Sequence, residues 1–294
     1  MKGVVSSGHE LTSKAGMKMF ERGGNAFDAA VAAAFVSFVA ESTLTSPCGG
    51  GFFMAHTKEG STILYDFFSD VPGFGSAAGV KKKAFRFYPV DIDFIGTMQE
   101  LYIGEGSAAV PGTVAGLKEV YERHCTLPIE ELIAPAVAHA REGVTVSFHQ
   151  AQFIETLSPM FTVSEESRAI YAPGGKFLRE GDRLVNPGMA DTFECFAEEG
   201  LDSFYRGEVA RKVLEGFGER GLITSGDLEN YRVEVRGPLR IEYRGRKIYT
   251  NPPPSSGGCL IAFALKLIEG FDLTAGKGLA CNTAPYLKLL YEVM

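Results

Sequence analysis

The sequence lacks an excess of basic charge. Its 294 residues carry 29 Lys and Arg against 36 Asp and Glu, which gives a formal net charge of −7. A protein that holds nucleic acid presents a basic face to the phosphates, so this charge balance argues against a nucleic-acid partner. The one basic cluster is Lys81-Lys82-Lys83, followed by Arg86. A short charge run of this kind is typical of a solvated loop, with contact to an acidic ligand as the alternative.

Paired cysteines and long hydrophobic runs are also missing. The five cysteines are an odd number and include no CxxC pair, so a zinc knuckle or a disulfide framework has no support. The longest mainly apolar run, from Ala29 to Ala40, is shorter than the roughly 20 residues that cross a bilayer. The first residues contain no hydrophobic signal region. These absences predict a cytoplasmic protein with reduced thiols and no membrane contact.

Motifs for phosphate, metal and serine chemistry are absent as well. The GxGxxG spacing at Gly216, Gly218 and Gly221 closes a helical stretch, whereas a dinucleotide site needs a strand before the motif and a helix after it. The five histidines show neither HxH nor HExxH spacing, so metal binding is not predicted. The run Ser255-Ser256-Gly257-Gly258 lacks the GxSxG pattern of a nucleophile elbow, and no histidine follows His149. No cofactor is predicted.

The hydrophobic pattern does predict regular structure in the first part of the chain. A helix is expected from Leu11 to Arg22, because Gly23-Gly24 ends the apolar stripe. Asn25 can cap a second helix that runs to Ala40 and is apolar on almost every face. A helix of that kind is buried on all sides, so we expect it in a layer against a sheet. Residues 52–56 and 62–68 have the pattern of strands.

Further elements follow along the rest of the chain. Helices are predicted after Thr113 and after Ile129, and the segment 150–235 is predicted to be mostly helical. A strand pair is expected at 239–243 and 247–250, followed by a helix at 259–269. The alternation of helices and strands indicates a mixed α/β layered architecture. Since the chain contains neither a repeat nor a low-complexity linker, residues 1–294 are predicted to form a single domain.

Several short motifs occur in an order and spacing that resemble a known family. They are Gly23-Gly24-Asn25-Ala26-Phe27-Asp28-Ala29-Ala30-Val31-Ala32, Cys48-Gly49-Gly50-Gly51-Phe52-Phe53, Val110-Pro111-Gly112-Thr113-Val114-Ala115-Gly116, Ala134-Pro135-Ala136, Gly221-Leu222-Ile223-Thr224 with Asp227-Leu228, and Pro252-Pro253-Pro254-Ser255-Ser256-Gly257-Gly258. Over nearly its whole length, the chain resembles the large subunit of the γ-glutamyltransferase family of N-terminal-nucleophile hydrolases.

This resemblance implies an αββα sandwich made from one precursor that cleaves itself into a large and a small subunit. The new N-terminal threonine of the small subunit is the nucleophile, and its own α-amine serves as its base. The threonine attacks an amide carbonyl, and water or an amine resolves the acyl-enzyme. The present sequence ends at Met294, before that threonine is expected. The resemblance therefore predicts no catalytic residue in this chain, a C-terminal small subunit as partner, and a small-molecule amide as substrate.

One departure from the family pattern concerns the substrate. Family members that hold glutamate have a motif like D-x-R-E-x-x-P, in which the arginine holds the α-carboxylate through a bidentate contact. The corresponding run here is Asp66-Phe67-Phe68-Ser69-Asp70-Val71-Pro72. Phe68 occupies the arginine position and Ser69 the glutamate position, so Asp66, Phe68 and Ser69 are the candidate substrate-binding residues. A phenyl ring cannot bind a carboxylate, which argues against γ-glutamyl substrates.

Three interpretations remain open on the sequence. The first is an amidase or acylase of this family with a changed acyl specificity. The second is a true γ-glutamyltransferase whose carboxylate contact comes from elsewhere, for example from Arg86 or the partner chain. The third is a non-catalytic family member that acts as a binding or scaffold module.

Overall fold

The computed structural model describes residues 3–73, 85–273 and 279–294, so the Lys81-Lys82-Lys83 cluster lies outside the described residues. The α-helices are α1 Glu10–Glu21, α2 Ala26–Ala40, α3 Thr113–His124, α4 Ile129–Glu142, α5 Phe148–Thr156, α6 Ser158–Phe161, α7 Glu165–Tyr171, α8 Pro187–Glu199, α9 Ser203–Arg206, α10 Glu208–Phe217, α11 Ser225–Asn230, α12 Ser256–Ile268 and α13 Ala284–Val293. The strands are β1 Gly51–His56, β2 Thr62–Phe67, β3 Tyr88–Asp93, β4 Met98–Ile103, β5 Val144–Thr145, β6 Arg183–Leu184, β7 Glu234–Arg236, β8 Leu239–Tyr243 and β9 Arg246–Thr250.

Contacts along the chain divide it into two compact units. The helical unit comprises Met1–Gly51 and Phe67–Val233, and the sheet unit comprises Phe52–Asp66 and Glu234–Met294. The helical unit contains α1 to α11 together with the β3–β4 and β5–β6 pairs, whereas α12 and α13 belong to the sheet unit. That the whole chain is one domain stays a prediction.

The start of α2 is held by a network of hydrogen bonds that reaches a distant segment of the helical unit. The Asn25 side chain accepts hydrogen bonds from the amides of Phe27 and Asp28, and an Asp28 oxygen accepts one from the Asn25 amide at 2.6 Å. The fully buried Asp28 carboxylate also accepts from both Thr126 donors and from the Leu127 amide, at 2.8–2.9 Å. Asp28 therefore joins the first turn of α2 to the segment between α3 and α4.

Helix α2 is the centre of the helical core. Ten of its fifteen residues are buried, which confirms the prediction of a buried helix over 26–40. Within the part of the chain that the structure describes, the main packing partners of α2 are α1, α3 and α4, whereas the sequence predicted a layer against a sheet. Phe35 meets Phe38 and Phe193 edge-to-face, with ring centroids 5.9 and 5.5 Å apart. The stripe formed by Ala26, Ala30, Ala34 and Ser37 is not fully buried, so the covering of α2 is incomplete on that face.

The sheet unit contains most of a three-stranded sheet of order β1-β2-β7. Strands β2 and β7 are antiparallel, and Asp66 lies opposite Glu234. Arg236, two residues further along β7, donates from Nε to Asp66 Oδ2 at 2.8 Å. The predicted strand pair is confirmed as β8 and β9, and its tight turn holds Arg244 and Gly245 at φ of 50° and 74°.

The hairpin formed by β3 and β4 was not predicted from the sequence. Its strands pair from Tyr88 opposite Ile103 to Asp93 opposite Met98. The turn between them is closed by the Phe94 amide donating to the Thr97 carbonyl, and Ile95 takes a positive φ of 56°. A β-branched residue rarely adopts that conformation. The turn also lacks the Asn-Gly pair that usually indicates a hairpin in a sequence, which is why the hairpin was not predicted.

Apolar side chains remain exposed on the two helices of the sheet unit. On α12 these are Leu260, Ile261, Phe263 and Leu267, and on α13 they are Leu287 and Tyr291. Leu260, Phe263 and Leu267 recur at the spacing of one helix face, and exposed apolar surface of this kind is typical of sites that another chain covers. Among the described residues, no helix is both long enough and apolar enough to span a membrane.

Candidate functional site

The candidate site lies where β2 ends, in residues that belong to the helical unit. Strand β2 ends at Phe67, and the chain continues through Phe68 and Ser69 to Asp70. Asp70 forms a two-bond antiparallel bridge with Val110, with N···O distances of 3.1 and 2.8 Å. The backbone after β2 is therefore fixed to the segment that precedes α3.

Two glycines allow other segments to approach this backbone closely. A Cβ atom on Gly112 would overlap the Phe67 carbonyl oxygen and the Tyr231 hydroxyl. A Cβ atom on Gly50 would overlap the amide nitrogen and the hydroxyl of Ser69. The segments that carry these glycines are joined, because the Gly112 amide donates to the Gly49 carbonyl at 2.9 Å. Gly50 and Gly112, one from each of two family motifs, are thus required for packing around the end of β2.

Two stacked tyrosines support the same backbone. The Tyr231 hydroxyl donates to the Phe68 carbonyl at 2.9 Å. Its ring stacks on Tyr205 with centroids 5.8 Å apart and an interplanar angle of 16°. The Tyr205 hydroxyl in turn donates to the Pro111 carbonyl at 3.0 Å and accepts from the Ala115 amide at 3.1 Å. Burial raises the pKa of Tyr205, which keeps this hydroxyl protonated and able to donate.

The predicted substrate-binding residues occupy different environments. The Phe68 side chain is 62% exposed even though its backbone is held on both sides. Ser69 is half-buried, next to Gly50. Asp66 is buried in the sheet unit, where it pairs with Arg236, and this contact gives it a structural role. The substrate-binding roles of all three residues stay predictions.

Arg86, the proposed alternative carboxylate-binding residue, is engaged by its own neighbours. Its Nη1 lies 3.3 Å from Glu105 Oε1, and its Nη2 donates to the Tyr88 hydroxyl at 3.1 Å. The guanidinium carbon also lies 5.1 Å from the Tyr88 ring centroid. A carboxylate ligand would have to compete with Glu105 for this cation, which weakens the case for Arg86 as the carboxylate contact.

The sequence did not predict which residues hold the end of β2, although Gly112 and Asp227 lie in its family motifs. Tyr231 and Gly112 contact the Phe67–Phe68 backbone directly, and Asp227 accepts from the Gly73 amide at 2.7 Å. A signal existed for one of them, since Thr224-x-x-Asp227 is a capping-box pattern that predicts the start of a helix. That helix is α11, and Tyr231 follows directly after it. No local sequence pattern predicts the contact between Tyr231 and Phe68, because the two residues are 163 positions apart in the chain.

Comparison with known proteins identifies the family. Residues 12–294 match the family model described as gamma-glutamyltranspeptidase. The chain belongs to the γ-glutamyltranspeptidase family. It is 34% identical over 278 residues to the acylase ACY 1 proenzyme of Pseudomonas sp. strain SE83, covering 92% of this chain and 48% of the relative. It is 33% identical over 274 residues to the glutathione hydrolase proenzyme of Escherichia coli K12, covering 92% of this chain and 46% of the relative.

The fold of the family is shared as well. A crystal structure of Helicobacter pylori gamma-glutamyltranspeptidase has a TM-score of 0.85 at 31% identity, covering 100% of this chain and 81% of that chain. This likeness confirms the predicted fold class, the αββα type of the N-terminal-nucleophile hydrolases, with this chain as the large-subunit portion. The chain spans about half the length of the curated relatives that it matches.

Replacing Gly112 with alanine is expected to displace the end of β2. The new methyl group would overlap both the Phe67 carbonyl and the Tyr231 hydroxyl, and neither a backbone oxygen nor a buried stacked ring can yield cheaply. Overpacking of this kind costs about 1–3 kcal/mol or more, so we expect the melting temperature to fall by several degrees. Gly237→Ala, where an added Cβ meets nothing within 4 Å, is the matched control. Equal melting temperatures for the two variants would contradict the packing role of Gly112.

Proposed function

We propose that this chain pairs with a C-terminal small subunit to form an amidase or acyltransferase that favours uncharged acyl groups. The small subunit would supply an N-terminal threonine that attacks the amide carbonyl of a small-molecule substrate, with its α-amine as base. Family membership supports acyl transfer as the chemistry. The proenzyme names of the acylase and glutathione hydrolase relatives support a precursor that is processed into two chains.

The observation that carries the proposed acyl preference is Phe68. Its side chain is exposed at the end of β2, on backbone fixed by Tyr231 and by the close approach of Gly50. If this strand end borders the acyl pocket, the pocket wall there is a phenyl ring and the Ser69 hydroxyl rather than a cation. Burying a carboxylate against such a wall without a partner would cost several kcal/mol. An uncharged acyl group would instead gain roughly 25 cal/mol per Å² of buried apolar area.

Glutathione hydrolysis is the second candidate activity. It is favoured by glutathione hydrolase proenzymes that are 31–33% identical to this chain. The acylase proenzyme at 34% identity favours the first candidate. The contacts of Arg86 with Glu105 and Tyr88 weigh against the second candidate, because Arg86 is the cation that it requires in this chain.

Co-expression with the C-terminal chain tests the proposal. We expect the paired protein to hydrolyse uncharged acyl amides with a kcat/KM at least about tenfold above that for γ-glutamyl amides, which corresponds to about 1.4 kcal/mol. Residues 1–294 alone are the control, and we expect them to turn over neither substrate, because the proposed nucleophile lies on the partner. Efficient γ-glutamyl hydrolysis that is lost in Arg86→Ala would establish the second candidate instead.

The same preparation tests the proposed partner. Exposed apolar residues on α12 and α13, such as Phe263 and Tyr291, are expected to lie under the small subunit. We expect a large and core-like interface, above roughly 2,000 Å², so that the two chains co-purify in 1 M salt. Size-exclusion chromatography with light scattering measures this association. A stable, cooperatively melting monomer of residues 1–294 would contradict the proposed pairing.

A further inference from the structure

The loop that carries Phe68 is held at both ends by residues at one short helix. Its first residue, Phe68, accepts from the Tyr231 hydroxyl through its carbonyl at 2.9 Å. Its last described residue, Gly73, donates its amide to Asp227 Oδ1 at 2.7 Å. Asp227 lies in α11, and Tyr231 directly follows its last residue, Asn230. We call Asp227 and Tyr231 the α11 clamp, and residues 68–73 the substrate loop.

Both side chains of the α11 clamp are themselves fixed. Asp227 is buried, and its Oδ2 accepts from the amide and the hydroxyl of Thr224 at 2.9 and 2.8 Å. Tyr231 is buried against the ring of Tyr205. The clamp residues are four positions apart, about one helical turn, so the helix also fixes the distance between their contacts. Both contacts from the α11 clamp to the substrate loop therefore come from side chains whose positions are fixed.

The substrate loop would not hold its own conformation through burial. Phe68 is 62% exposed and Val71 is 74% exposed, so burial of these two apolar residues does not by itself fix the loop. The backbone of the loop is also contacted in the middle, where Asp70 bridges to Val110 and Gly50 approaches Ser69 closely. A loop of this kind is mobile unless its backbone is tied down. Loss of a clamp contact would therefore free one end of the loop.

We propose that Asp227 and Tyr231 are positioning residues that set acyl specificity by fixing Phe68 and Ser69. This inference rests on the proposed function, because it takes the substrate loop as a wall of the acyl pocket. Substrate-binding groups must be held within about 0.5 Å of their productive geometry by their supporting residues. Neither clamp residue needs to touch the substrate for this role. Both act through the backbone of the loop.

The experiment compares Tyr231→Phe with the unmodified protein in the complex with the small subunit. The variant keeps the ring that stacks on Tyr205 and removes only the hydroxyl that binds the Phe68 carbonyl. We expect hydrogen exchange of the amides in residues 69–73 to accelerate at least tenfold. We also expect the ratio of kcat/KM for uncharged acyl amides to that for γ-glutamyl amides to change at least threefold, mainly through KM. Asp227→Asn, which perturbs the contact to Gly73 at the other end, is the second variant and should act in the same direction.

Asn230→Ala is the matched control within α11. Asn230 donates to the Gly226 carbonyl at 2.8 Å, so its loss also removes one hydrogen bond of this helix but none to the substrate loop. We expect it to leave both the exchange rates and the substrate ratio unchanged. If Asn230→Ala altered them as much as Tyr231→Phe, the effect would be a general weakening of α11, and the proposal would be overturned.

The two readouts separate this proposal from the proposed function. Hydrogen exchange is measured without a substrate, so it does not depend on which acyl group the enzyme prefers. Faster exchange in Tyr231→Phe together with a changed substrate ratio supports the α11 clamp. A preference for γ-glutamyl amides in the unmodified protein would overturn the proposed acyl preference alone. Unchanged exchange, or faster exchange with an unchanged ratio, in both clamp variants would overturn the clamp and leave the proposed function standing.

Discussion

Replacing Asp28 with alanine is expected to lower the free energy of unfolding by about 3–5 kcal/mol, as for other buried charges whose network is broken. The Asp28 carboxylate accepts from the amides of Asn25, Thr126 and Leu127 and from the Thr126 hydroxyl. Alanine would leave these donors unsatisfied in the interior and would also remove half of the capping box of α2. Urea unfolding monitored by circular dichroism measures the change.

Glu21→Ala is the matched control for this substitution. Glu21 is an exposed acidic residue at the end of α1, and substitutions at such surface positions usually change stability by less than about 0.5 kcal/mol. If the two variants unfolded at the same urea concentration, the Asp28 network would contribute far less than its geometry indicates.

The effect of Asp28 should also depend on pH. Burial by itself would raise the pKa of this carboxyl, but hydrogen bonds from Leu127, Asn25 and Thr126 outweigh burial and lower the pKa. A carboxyl with a lowered folded pKa stabilises the protein above its unfolded pKa, about 3.9. That contribution is lost as the pH falls through the folded value. We therefore expect the stability difference between the unmodified protein and Asp28→Ala to be constant near neutral pH and to shrink below about pH 4.

Replacing Phe68 with arginine is expected to raise kcat/KM for γ-glutamyl amides relative to uncharged acyl amides by at least about tenfold in the paired enzyme. A guanidinium at this position could hold a substrate α-carboxylate through two charge-assisted hydrogen bonds, each contributing about 1.5–3 kcal/mol. The backbone there is already fixed by Tyr231 and the bridge from Asp70, so the new side chain would start from a defined position. The surface exposure of Phe68 means that the substitution leaves no cavity in the core.

Val71→Arg is the control for this specificity change. Val71 is 74% exposed on the same loop, so the variant adds the same charge nearby without placing it at the family's arginine position. We expect it to change the substrate ratio less than twofold. If Phe68→Arg had no more effect than Val71→Arg, Phe68 would be a surface residue outside the acyl pocket, and the proposed acyl preference would lose its main support.

Local patterns in the sequence determined much of the helical unit. The Asn25-x-x-Asp28 cap and the apolar run to Ala40 predicted α2 with the same bounds that the structure gives. Helix caps and apolar periodicity depend on residues a few positions apart, so the bounds of such a helix can be predicted from the sequence alone. Gly23 follows the same principle. Its positive φ of 86° is a conformation that glycine adopts readily, and α1 ends before it, where the glycine pair predicted the end of the helix. The β3–β4 hairpin escaped prediction because its turn uses Ile95 rather than a residue that favours positive φ.

Only the tertiary structure decided which residues hold the candidate site. The sequence singled out Asp66, Phe68 and Ser69 through a family motif, but it could not show that Asp66 pairs with Arg236. Nor could it show that Tyr231 supports the Phe68 carbonyl. These partners lie 170 and 163 residues apart in the chain, and no local pattern records such pairings. Contacts of this kind form only when the chain packs, because packing brings the Tyr231 hydroxyl and the Phe68 carbonyl to the same point.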